Sequence, residues 1–162
     1  MITLDAATFM VAWATGMGAF LALTGRRREV GIGYGWTIRG TTGVLFAGAV
    51  VVGLRYEPNA VRDVAAALAL ITTVGVTFVS WQRRGAGVAL QRERSQARSE
   101  RVAQMTGIEK DEQVFDELVP EFPPMLDLIP VAFGIVALIA GGVASGGDAP
   151  VLSVARWLAG AA

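Results

Sequence analysis

The chain has 162 residues, 53% of them apolar and 20 of them glycine, and its 14 basic and 14 acidic side chains cancel. It contains neither histidine nor cysteine, which removes the usual ligands of haem, iron–sulfur clusters and structural zinc together with thiol and imidazole catalysis. A mean hydropathy of +0.50 moves the chain out of the soluble class and towards the membrane class.

The charged residues are gathered at the ends of four uncharged stretches, 6–25, 40–54, 64–82 and 128–147. Three of these hold 19 or 20 residues, and at ~1.5 Å per residue such a helix matches the ~30 Å hydrocarbon core of a bilayer. The expected fold class is therefore all-α: a polytopic integral membrane protein with a four-helix transmembrane bundle, an inner helical hairpin and a short interfacial C-terminal helix. In chain order the expected units are 1–82, transmembrane helices 1 to 3 with short loops; 83–125, a soluble inner helical segment; 126–147, transmembrane helix 4; and 148–162, an outer interfacial tail.

The first helix is expected to start near Asp5, whose carboxylate suits the positive end of the helix dipole, and to end at Gly25 before the triplet Arg26, Arg27 and Arg28. No basic residue precedes it, so it reads as a retained span rather than a signal peptide. Ala14, Gly18 and Ala22 repeat along it every four residues, a stripe that lets helix backbones approach closely in lipid. The following loop carries Gly31, Gly33 and Gly35, but Trp36 stands where a dinucleotide fingerprint needs its third glycine. It reads as a flexible return into the membrane, with Tyr34 and Trp36 anchoring at headgroup level and Trp81 doing the same below.

The second uncharged stretch has only 15 residues. It reaches spanning length if Trp36 to Arg39 form its first turn and Arg39 snorkels to the surface. The third span, from Val64, carries the stripe Ala65, Ala69, Thr73 and Thr77.

Arginine placement supplies an orientation. With both termini outside, eleven basic residues fall in the two inner segments and three, Arg55, Arg62 and Arg156, fall outside, which is the positive-inside pattern. Thirteen arginines against the single Lys110 and a wealth of Ala, Gly and Val suit a GC-rich prokaryotic or viral genome.

Between residues 83 and 125 the composition turns polar. Residues 83–101 carry a net charge of +4 and residues 109–121 one of −5. Thr106 and Glu109 have capping-box spacing, and Ile108, Phe115, Leu118 and Val119 share one side of the helix that the box would begin. The economical account is a hairpin of two attracting arms whose basic arm faces anionic lipid; the sharper one is a docking surface for a partner. Candidate partner or lipid-surface contacts are Arg92, Arg94, Arg98, Arg101, Phe115 and Leu118. Nucleic acid is not expected, because the acidic arm would repel phosphate and the basic arm has no aromatic residue for stacking.

Pro120, Pro123, Pro124 and Pro130 stiffen the approach to the last span, where Asp127 is expected in contact with solvent at a helix start. That span carries a second small-residue stripe, Ala137, Gly141 and Ser145. In the tail, Val151, Val154, Ala155 and Leu158 fall on one face beside Trp157, which suits a helix lying on the outer membrane surface.

These features favour no chemistry. No ionisable residue is expected inside a span, where proton pathways and coupled carriers place one, and no lysine is available there for a Schiff base. The expected function is that of a non-catalytic structural or accessory membrane protein, a subunit of a larger membrane assembly or a small viral or prokaryotic membrane protein. It would bind no cofactor or metal, and would contact the lipid bilayer and either a protein partner or further copies of itself. The alternative is an oligomeric pore or holin-like channel assembled through the stripes. A third class, an enzyme acting on lipid, would need a charged site at the inner surface such as Asp127 with Arg39, for which no motif is present.

Overall fold

The computed structural model describes residues 5–26, 32–84, 97, 100–101, 104–105 and 122–162. Five α-helices account for most of these residues: α1 (Ala6–Arg26), α2 (Ile32–Tyr56), α3 (Ala60–Gln82), α4 (Leu128–Ser145) and α5 (Pro150–Ala161), with a 3₁₀ turn, Pro124–Asp127, leading into α4. No strand occurs among the described residues. Four helices are long and apolar enough to cross a membrane, the fourth counted from Pro124. The hairpin expected within 83–125 falls almost wholly outside the described residues; so do Arg92, Arg94, Arg98, Phe115 and Leu118, while Arg101 is helical and exposed.

The four long helices form a square in which α1 touches α2 and α4, and α3 touches the same two. Neighbours run antiparallel. Thr8 and Thr15 of α1 face Gly141 and Gly134 of α4, and Asn59, at the start of α3, reaches the Ala140 carbonyl late in α4. One end of the bundle therefore carries Asp5 and Arg62, the other Arg39 and Asp127.

Small side chains set the spacing. Seven of the ten residues in the buried core cluster are alanine, joined by Val11, Phe46 and Leu138. Ala14, Ala22 and Ala137 are buried, Gly18 lies against Val131, Gly141 against Thr8, and Ser145 donates to the Gly141 carbonyl at 2.9 Å. The two stripes thus meet partners inside this one chain, where the missing side chains let α1 and α4 come together. Large apolar residues instead point outwards all round the square, among them Phe20, Leu23, Val44, Val51, Ile71, Val74 and Val143. Such an inverted distribution suits a lipid solvent rather than water.

Two helix starts differ from expectation. Helix α2 begins at Ile32, so Gly33 and Gly35 belong to its first turns instead of a flexible loop. Helix α3 begins at Ala60 rather than near Val64, because Asn59 caps it: the Asn59 side chain accepts from the Arg62 amide at 3.1 Å while the Asn59 amide donates to Asp63 at 3.0 Å. This reciprocal cap draws Arg62 and Asp63 into the helix.

The tail also differs. Helix α5 does not lie across the end of the bundle; it turns back at Gly147, whose φ is 51°, and descends along α4 and α1 until Ala161 meets Gly16 near the middle of α1. The face that packs is Ser153, Val154, Trp157, Leu158 and Ala161, whereas Val151 and Ala155 are exposed. Two glycines explain the descent, since a Cβ at Gly16 or Gly142 would collide with the backbone of α5. Hydrogen bonds hold the upper part, with the Ser145 hydroxyl 3.1 Å from that of Ser153 and accepting from the Trp157 indole at 3.3 Å.

Candidate functional site

The described residues contain two buried groups of charge, one at each end of the bundle. Arg39 stands one turn after Gly35, and a helical side chain leans towards the N-terminus of its own helix. Arg39 therefore passes over Gly35, where an added Cβ would lie 3.2 Å from its Nη1. The guanidinium meets Asp127 in a two-pronged pair, Nε to Oδ1 at 2.7 Å and Nη2 to Oδ2 at 2.8 Å, and its third nitrogen donates to the Ser80 hydroxyl at 3.0 Å. The Phe122 ring covers it at 4.5 Å, a cation–π contact that shields the charge. Pro123 and Pro124 lie between Phe122 and Asp127, and this short stiff strap delivers a ring and a carboxylate to the same cation. The Trp36 indole donates to Ser80 as well, at 3.2 Å.

Arg39 is 7% exposed and Asp127 4%. Two expectations are corrected by this. Arg39 does not snorkel, because an acceptor is available inside the bundle, and Asp127 does not rest in solvent at a helix start. Trp36 is likewise a donor within the bundle end, while Trp81 is half exposed under the Arg84 guanidinium.

The opposite end is built around Arg62, only 2% exposed. Asp5 caps α1, its Oδ1 accepting from the Ala7 amide at 2.9 Å and its Oδ2 from the Thr8 hydroxyl. The same Oδ2 accepts from Arg62 Nη1. Arg62 Nε donates to Asp63 Oδ1 at 2.9 Å, and Nη2 donates to the Glu57 carbonyl at 2.6 Å. Gly53 of α2 makes the room, since a Cβ there would lie 2.6 Å from Arg62 Nη2. Ionisable groups thus do lie within helices long enough to span, contrary to expectation. The sequence rule fails because it takes every charge as a boundary, whereas a paired arginine can sit a turn or two inside one.

Chemically, both clusters are closed. Each of the three nitrogens of Arg39 and of Arg62 has an acceptor in the chain. The juxtaposition of Asp127 with Arg39 that a lipid enzyme would need does occur, but each spends its charge on the other. Most buried hydroxyls are also engaged locally: Thr15 and Thr73 donate to carbonyls four residues back at 2.7 Å, and Thr42 to the Arg39 carbonyl at 3.0 Å. A cavity of about 10 Å³ lies between Thr42, Thr73, Phe46 and the Arg39–Asp127 pair, close to the room that one water needs. Among the described residues no group of three or more acidic side chains is placed to hold a metal. No family model, curated protein or solved structure matches the chain.

Proposed function

We propose that the chain is a non-catalytic membrane protein that crosses the bilayer four times, with both termini outside, and serves as a structural or accessory subunit of a larger membrane assembly. The observation that carries this reading is the closure of both buried charge clusters. Their guanidiniums tie α1 to α3 at one end and α2 to α3 and the strap before α4 at the other, so among the described residues these buried charges are spent on holding the helices together. The apolar outward faces and the arginine bias support insertion and sidedness. Contact with the rest of the assembly is assigned to the charged inner segment around Arg92 to Leu118, from its sequence alone.

Purification of the tagged chain from its native membrane in mild detergent, with photo-crosslinkers placed at Arg98 and Leu118, tests the reading. A larger particle with crosslinks at those positions is expected; a lone monomer without crosslinks would overturn it. A pore is the competing account. Among the described residues the core of a single bundle is packed mainly by alanine and the space at the Arg39 end is water-sized, which favours a pore between copies over one within a bundle, and dye release from proteoliposomes would reveal it.

A further inference from the structure

Residues 85–121 join the end of α3 to the strap that runs from Phe122 to Asp127. Both of their attachment points meet one guanidinium. On the α3 side, Ser80 in the last turn of the helix accepts from Arg39 Nη1 at 3.0 Å. On the other side, the Phe122 ring covers Arg39 at 4.5 Å and Asp127 closes the two-pronged pair. Arg39 itself belongs to α2, a helix joined directly to neither end of 85–121.

Polar anchorage of the strap depends on that cation. Pro123 and Pro124 have no amide hydrogen to donate, and the 3.1 Å bond from the Leu126 amide to the Pro123 carbonyl stays within the strap. Among the described residues, the hydrogen bonds that carry the strap to another helix are those between Asp127 and Arg39. A buried ion pair adds little stability over an apolar pair of the same volume. What it adds here is direction, because two parallel hydrogen bonds admit one relative position whereas apolar groups can slide.

We propose that Arg39 is a positioning residue that fixes both ends of 85–121 to the bundle, so that the segment assigned above to contact with the assembly is presented in one place. The inference rests on that assignment. Spin labels at Gln82→Cys and Met125→Cys, both exposed, report the separation of the two ends by double electron–electron resonance in nanodiscs. A control pair, Glu57→Cys with Asp148→Cys, reports the opposite end of the bundle. One narrow distance between the first two labels is expected in the otherwise natural sequence. Arg39→Met with Asp127→Leu and, independently, Phe122→Ala should lose it to a broad distribution, Phe122→Trp should keep it, and the control distance should stay narrow in all of them. Loss of position with the fold retained is an outcome that a merely stabilising pair would not produce. In native membranes the two loosened variants should also lose the crosslinks from Arg98 that the natural chain forms. A narrow first distance in both variants, or crosslinks of undiminished yield, would overturn the positioning role. Absence of crosslinks from the natural chain, with the distances behaving as predicted, would overturn the assembly reading instead.

Discussion

Removing one member of the Arg39–Asp127 pair should cost far more than removing both. The two side chains are under 10% exposed and share two hydrogen bonds of 2.7 and 2.8 Å. Asp127→Leu leaves a guanidinium with only Ser80 and the Phe122 ring, and Arg39→Met leaves a carboxylate with no cation. Stranding a buried charge in this way costs about 3–5 kcal/mol. For a chain of this size that corresponds to a fall in melting temperature on the order of 10 °C. The double variant Arg39→Met with Asp127→Leu replaces the pair by apolar groups of similar volume and should lie within about 2 kcal/mol of the natural protein. Thermal unfolding in detergent, followed by far-ultraviolet circular dichroism for all four proteins, gives the coupling energy. Single variants that melt within about 2 °C of the natural chain, or a double variant less stable than both singles, would refute the argument that the pair is enclosed and mutually dependent.

Other perturbations test other parts of the bundle. Gly53→Val puts branched carbons into the space of Arg62 Nη2 and the Asp63 carboxylate, so it should destabilise by about 3 kcal/mol in the same unfolding assay, as overpacking does. Gly141→Leu meets Thr8 across the α1–α4 contact and should abolish the folded monomer, seen as loss of the monodisperse peak in size exclusion. Trp157→Phe removes the indole donor to Ser145 and should weaken α5 docking by about 1 kcal/mol, measured as faster amide exchange in residues 153–161 with no change in α1.

The long helices were legible because spanning length and an apolar exterior both leave an imprint on a single sequence. The stripes Ala14–Gly18–Ala22 and Ala137–Gly141–Ser145 stand out in the sequence as small residues at four-residue spacing. What escaped was everything that depends on a partner distant in the chain. Arg39 and Asp127 are 88 positions apart, and each alone looks like a residue marking the edge of a span. The available signal was that opposite charges lay at the ends of two spans on the same side. The descent of α5 was hidden differently. Its apolar face was assigned from Val151, Val154, Ala155 and Leu158, of which Val154 and Leu158 pack, and docking depends further on Gly16 and Gly142, residues in other helices whose lack of side chain shows nothing in the tail's own pattern.

The most direct test of the central claim uses the absence of natural cysteine. Single cysteines at Glu57, in the turn between α2 and α3, and at Gln82, the last residue of α3, would be probed with a membrane-impermeant maleimide in sealed vesicles of known sidedness. Labelling of Glu57→Cys from the outer face and of Gln82→Cys from the inner face is predicted. Labelling of both from one face, or release of the protein from the vesicles by an alkaline carbonate wash, would contradict the account.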